Sequence, residues 1–149
     1  MTELEFTVGT DGFLASDSPR GRYSAIFEDD GETGYFYAYE FERADPILDS
    51  LLIYNVVDVV NRGRPVTASI MWSETGLQCA LLIENRPHAS FDFEKRRGYC
   101  RANFPNFEDE PGQSWIQSDH SWSEDALMWI KSIEHSQRQA RFDGSEKNI

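Results

Sequence analysis

The cysteine at position 100 has neighbours that could make it reactive. Cys100 follows a basic segment, residues 95–101, and nearby cations lower the pKa of a thiol and favour the nucleophilic thiolate. His88 or His120 could serve as its base, if the fold brings the side chains together. The alternative is a structural cysteine at the end of a strand.

Two acidic side chains add a second kind of possible chemistry. Asp92 and Glu94 are two residues apart, which on a strand places both on one face. Paired carboxylates can hydrolyse glycosidic bonds, although a polar sheet face with ion pairs has the same appearance in sequence. The candidate catalytic residues are therefore His88, Asp92, Glu94 and Cys100.

An acidic turn precedes a row of tyrosines. Residues 28–32 carry four carboxylates around one glycine, but the spacing of an EF-hand is absent and a hairpin turn is the simpler interpretation. The three histidines share no metal-ligand spacing with the cysteines. We therefore predict no metal site and no cofactor.

The tyrosine row points to recognition. On a strand Tyr35, Tyr37 and Tyr39 share one face, opposite Phe36 and Ala38. Tyrosine is amphipathic and enriched at interfaces, although it is also common at sheet margins. The candidate binding residues are Asp29, Asp30, Glu32, Tyr35, Tyr37 and Tyr39.

Charge limits the classes of partner. The chain of 149 residues has a formal net charge of −12, and residues 1–60 hold 13 acidic and 3 basic side chains. Nucleic acids and anionic membranes are disfavoured, because both require clustered cations. A basic protein is favoured, whereas the simpler role of the charge is solubility. The basic segment 95–101 is expected to dock on residues 28–32 or 108–110.

The expected compartment is the cytoplasm. The N-terminus is acidic and lacks the apolar segment of a signal peptide, and no apolar run approaches the roughly 20 residues of a membrane helix. Cys79 and Cys100 are the only cysteines, which favours a reducing environment over a disulfide framework.

The pattern of elements predicts an α+β domain. An Asp-Gly turn between aromatic runs indicates a hairpin, and three later apolar runs form a meander. Ser121 and Ser123 are candidate N-caps of a helix to about Arg141. We expect a twisted antiparallel sheet of about five to seven strands with this helix packed on one face, a single domain over residues 1–142, and a disordered tail, 143–149. The predicted segments are strands at 23–28, 34–41, 66–72, 77–84 and 88–93, a turn or helix and then a strand within 47–60, and loops at 9–22 and 103–121.

Several runs resemble a bacterial family over about residues 20–130. They are Phe27–Ala38, Asp45–Leu51, Ile53–Val56, Trp72–Glu74, Pro87–Ala89, Phe91–Phe93 and Arg97–Arg101. The chain is similar to small bacterial proteins catalogued only as a domain of unknown function. The resemblance implies a bacterial, soluble, single-domain protein and carries no catalytic assignment.

Three functional hypotheses follow. The first is a non-enzymatic module that binds or neutralises a basic protein, by analogy with immunity proteins. The second is a small hydrolase or ligand-binding enzyme with a cleft beside the sheet. The third is a homodimer formed through an exposed sheet edge. Whether the protein is an enzyme stays open at this stage, with the non-enzymatic interpretation favoured.

Overall fold

Nine strands in two antiparallel sheets make up most of the fold in a computed structural model that describes residues 1–133. The five-stranded sheet has the order β1-β6-β7-β8-β9, and the four-stranded sheet the order β2-β3-β4-β5. The strands are β1 (Thr2–Thr7), β2 (Gly12–Asp17), β3 (Tyr23–Asp29), β4 (Thr33–Glu40), β5 (Ile47–Asn55), β6 (Pro65–Trp72), β7 (Gln78–Ile83), β8 (Arg86–Asp92) and β9 (Arg97–Cys100).

The two sheets pack face to face around one core. Alternating residues of each strand point inward, as the period of a strand requires. Phe36 of the four-stranded sheet stacks on Phe91 of the five-stranded sheet, with ring centroids 5.0 Å apart, and Phe27 packs against Phe6 at 5.4 Å. Aromatic side chains therefore fill the space between the sheets.

The prediction of an α+β fold with a single sheet is wrong. The hairpin and the meander form as predicted, but in different sheets. The turn-rich region 9–22 contains β2, a short run flanked by turns, and residues 47–55 form one strand without a preceding helix. A further strand that was not predicted, β1, precedes β2. Turn formers on both sides of a short strand obscured its alternation, so the count of strands fell short.

The C-terminal part of the described chain is short and helical. A 3₁₀ turn at Asp125–Leu127 leads into a helix at 128–133. The backbone N–H of Ala126 donates to Ser123 Oγ at 3.2 Å, so this serine caps the turn. The predicted extension to Arg141 and the predicted tail, 143–149, lie outside the described residues.

This C-terminal segment covers the outer face of the five-stranded sheet. Leu127 and Ile130 pack against Met71, Ala80 and Leu82 in a second apolar cluster. No helix in the described part of the chain combines the length and apolar character needed to cross a membrane.

Residues 103–121, which were predicted to form a loop, are irregular and close one edge of the sandwich. We call them the irregular segment. The N–H of Leu52 on β5 donates to the carbonyl of Phe104, and the N–H of Cys100 on β9 donates to the carbonyl of His120. The segment therefore pairs with the free edges of both sheets before the chain reaches the outer face.

Candidate functional site

The outer face of the four-stranded sheet carries the predicted tyrosine row. Ala25, Phe27, Phe36 and Ala38 are buried in the core, so the residues that alternate with them point outward. We call this outer surface the tyrosine face. It consists of Phe13, Ala15, Ile26, Glu28, Tyr35, Tyr37, Tyr39, Ser50 and Leu52.

Register places these side chains in rows across the strands. Phe13, Glu28, Tyr35 and Leu52 form one row, because each is the partner of the next across β2, β3, β4 and β5. The next row contains Tyr37, opposite Ile26 and Ser50. One carboxylate, that of Glu28, therefore lies between Phe13 and Tyr35 in the row nearest the acidic turn.

The tyrosines are half-buried by their neighbours and open to solvent on one side. The rings of Tyr35 and Tyr37 are nearly parallel, at 18°, with centroids 6.0 Å apart. Burial raises the pKa of Tyr37, and the charges near it, first Glu28, add to the rise. Phe13 is 60% exposed at one side of this face, so apolar surface extends beyond the tyrosines.

The acidic turn contains both a structural and an exposed carboxylate. Asp29 is 1% exposed, and its oxygens accept hydrogen bonds from the N–H groups of Gly9 and Gly31 and from the Tyr54 hydroxyl at 2.6 Å. Gly34 makes room for this arrangement, since a Cβ there would lie 2.6 Å from Tyr54 Cζ. Asp29 thus holds the hairpin together, and its side chain is buried and does not belong to the exposed surface.

The neighbouring carboxylate faces solvent. Asp30 Oδ1 accepts the backbone N–H groups of Glu32 and Thr33, both at 2.9 Å. These bonds, that of Thr33 first, lower the pKa of Asp30. Asp30 and Glu32 therefore present negative charge at the end of the tyrosine face.

The predicted docking of the basic segment on an acidic loop does not occur within residues 1–133. The ion pairs of this part of the chain are Arg22–Glu40, Arg64–Glu84, Arg97–Asp119 and His120–Asp49. None of them involves residues 28–32 or 108–110. The arginines of the basic segment instead bond to Ser114, Asp119 and Pro87. Within residues 1–133 the carboxylates of the acidic turn form no ion pair, although Arg62 lines the same surface pocket as Glu32.

The four candidate catalytic residues do not converge. Cys100 pairs with Ala89 in the core, whereas His88 precedes Ala89 and points to the opposite face of the sheet. Asp92 Oδ1 caps a turn by accepting the N–H groups of Glu94 and Lys95. Glu94 lies in that turn and not on the strand, so the two carboxylates do not share a strand face.

Their environments also disfavour reactivity. Burial raises the pKa of the Cys100 thiol, and burial likewise raises the pKa of Cys79. Burial, aided by Arg101 and Arg86, lowers the pKa of His88 to about 4. No group of three or more His, Cys, Asp or Glu side chains between residues 1 and 133 is arranged to hold a metal ion.

A buried polar cluster that the sequence did not reveal joins the irregular segment to β5. His120 Nε2 lies 2.8 Å from Asp49 Oδ2, and the Trp115 indole N–H donates to the same oxygen at 2.8 Å. The other ring nitrogen of His120 contacts the Pro105 carbonyl oxygen. Gly98 leaves space first for the Phe91 ring and then for the carboxylate, because a Cβ there would lie 2.9 Å from Phe91 Cδ1 and 3.2 Å from Asp49 Oδ2.

Geometry determines the charge state of this cluster. Both ring nitrogens of His120 face oxygen acceptors, which the doubly protonated ring satisfies. Burial opposes that charge, but the hydrogen bond and charge of Asp49, together with the Pro105 carbonyl and the charge of Asp119, outweigh it and raise the pKa of His120. His120 and Asp49 are 0% and 3% exposed as side chains, so the pair is sealed from substrates and positions the chain. A sign available in the sequence was the polar Asp49 between apolar residues of a strand.

Comparisons with known proteins agree with the resemblance predicted above. A family model described as "Uncharacterized protein conserved in bacteria (DUF2251)" matches residues 6–131. A protein of Haemophilus influenzae (strain ATCC 51907 / DSM 11121 / KW20 / Rd), described as an uncharacterized protein, is 39% identical over 110 residues, which cover 68% of each chain. No solved structure matches the chain significantly. The chain belongs to the DUF2251 family of uncharacterized proteins conserved in bacteria.

Proposed function

We propose that the protein is a non-enzymatic binding module that takes a basic protein on the tyrosine face. The observation that carries the proposal is that, within residues 1–133, no segment covers the aromatic sheet face and the acidic turn forms no ion pair. In its immunity-like form, binding neutralises the activity of that basic protein.

The composition of the face supports this role. Tyrosines anchor interfaces because they bury a large area at little loss of side-chain entropy. Here three of them lie on a rigid strand at the middle of a sheet, which positions them before a partner arrives. Exposed Phe13 and Ile47 extend the apolar area along both edges of the sheet.

The charge of the rim selects the partner. Glu28 lies inside the face, and Asp30 and Glu32 lie at its end. Such a field attracts a basic protein and accelerates its association, whereas it repels acidic partners. We also propose the cytoplasm as the compartment, which is supported by two buried cysteines that form no disulfide.

The experiment captures partners in the native bacterium at low and high salt, identifies them, and repeats the binding with purified proteins. We expect a basic protein that binds one chain and dissociates more readily as salt rises. Replacing Tyr35 and Tyr37 together by alanine weakens its binding by at least about tenfold, the effect of a lost anchor.

The control changes charge elsewhere. Glu3 and Glu5 are exposed on β1 of the other sheet. Their replacement by glutamine leaves the affinity within about twofold, since surface charges far from an interface contribute little to binding. A partner that is acidic, a second copy of this chain on the tyrosine face, or a basic partner indifferent to Tyr35 and Tyr37 contradicts the proposal.

A further inference from the structure

Arginines in this chain recur in one arrangement, an aromatic ring beneath the guanidinium and an oxygen beside it. Arg22 lies 5.3 Å from the Tyr23 ring centroid and 2.9 Å from Glu40 Oε1. Arg97 lies 4.7 Å from the ring centroid of Tyr99 and forms an ion pair with an aspartate at 3.4 Å. The arrangement combines stacking with a charge-assisted hydrogen bond.

A third arginine shows the same preference. The guanidinium of Arg101 lies 4.0 Å from the ring centroid of Trp122, and its Nε donates to the Pro87 carbonyl at 2.8 Å. One side chain thereby joins β8 to the segment that precedes the C-terminal 3₁₀ turn. Three arginines among residues 1–133 thus combine an aromatic ring with a nearby acceptor, whereas Arg20, Arg62, Arg64 and Arg96 bond to an oxygen without a ring.

The tyrosine face offers the same two components. Glu28 is the cross-strand partner of Tyr35 and the diagonal neighbour of Tyr37. Phe13 flanks Glu28 on the other side, and Asp11 and Asp30 line the same surface pocket, so the carboxylate lies between aromatic side chains and further negative charge. Within residues 1–133 no arginine stacks on these tyrosines and Glu28 forms no ion pair.

We infer that the basic partner inserts an arginine whose guanidinium stacks on Tyr37 and bonds to Glu28. This inference rests on the proposed function and names the group that the face recognises. Arginine fits better than lysine, because its planar group can stack on a ring and donate two parallel hydrogen bonds to one carboxylate at the same time.

The test uses the full chain and three synthetic ten-residue peptides that differ only in three positions occupied by arginine, lysine or uncharged citrulline. Calorimetry at low salt measures affinity, and NMR follows the ring protons of Tyr35 and Tyr37. We expect the arginine peptide to bind about three- to tenfold more tightly than the lysine peptide and to shift these ring signals. The citrulline peptide binds weakest, since it has no charge.

Matched variants locate the contact. Glu28→Gln and Tyr37→Leu each weaken the arginine peptide about three- to tenfold and reduce its advantage over lysine, whereas Tyr37→Phe keeps the ring and stays within about twofold. Glu3→Gln changes the same charge on the other sheet and serves as the control. Circular dichroism checks that every variant is folded.

The outcomes separate the two proposals. Equal affinity for arginine and lysine peptides, with both weakened by Tyr37→Leu, overturns the arginine inference and leaves the binding face standing. If neither Glu28→Gln nor Tyr37→Leu changes the affinity for the arginine peptide, the arginine inference is overturned as well. Peptide binding then gives no support to the proposed function of the tyrosine face.

Discussion

The two outer faces of the sandwich differ in how far the described chain covers them. The five-stranded sheet turns Met71, Ala80 and Leu82 outward, and the chain covers them with its own C-terminal segment. The four-stranded sheet turns tyrosines outward and, in the described residues, keeps them at the surface. Aliphatic side chains need cover from water, whereas a tyrosine ring tolerates one wet side because its hydroxyl is polar.

The difference shows which outer face contributes to the stability of the fold. Leu82 is 3% exposed beneath the C-terminal segment and contributes to stability, while Leu52 on the tyrosine face is only partly buried. A surface that the chain leaves partly wet stays available to another molecule.

The buried cluster of Asp49, Trp115 and His120 lies close in sequence to the segment that covers the five-stranded sheet. It fixes the irregular segment to β5 immediately before the chain turns onto that sheet.

Replacement of Asp49 by asparagine has the largest expected effect. It removes the charge that faces His120, and breaking a buried pair in this way lowers the free energy of unfolding by about 3–5 kcal/mol. Urea unfolding followed by tryptophan fluorescence measures it. Asp45→Asn is the matched control at an exposed site. A loss below about 1 kcal/mol for Asp49→Asn contradicts the anchoring role.

The same chemical change on each face gives the next largest effect. Leu82→Ala leaves a cavity under the C-terminal segment and lowers the free energy of unfolding by about 2–5 kcal/mol. Leu52→Ala loses less buried area and lowers it by about 1 kcal/mol. Urea unfolding of the two variants decides the comparison, and equal losses contradict the distinction between a covered and an open face.

The pH dependence gives the smallest effect. The pKa of His120 is raised in the folded state above its ordinary value of 6.5. The stabilisation is therefore fully present below about pH 6.5 and is lost as the pH rises through the folded-state pKa. We expect urea unfolding to show this loss between mildly acidic and alkaline pH in the wild type, and a flatter profile in Asp49→Asn. Parallel profiles contradict the charged form of His120.

Local signals predicted much of the framework. The Asp-Gly turn and the aromatic alternation of residues 33–40 gave the hairpin and the tyrosine row, because neighbours in the chain determine both. The meander likewise followed from short turns between apolar runs.

What the sequence left open depends on distant contacts. The division of strands between two sheets, and the meeting of Asp49 with His120 across 71 positions of sequence, follow from tertiary packing that periodicity does not encode. Proximity in sequence also misled: Cys100 lies beside basic residues, yet its side chain points into the core.

Photo-crosslinking in the native bacterium tests directly whether the tyrosine face binds a basic protein. A photoreactive phenylalanine analogue replaces Tyr37 on the tyrosine face or, as the matched position, Met128, which is 56% exposed on the C-terminal segment. We expect a crosslink to one basic protein from position 37 and none from position 128. A crosslink to that protein from position 128 alone, or no crosslink from position 37, contradicts the proposed function.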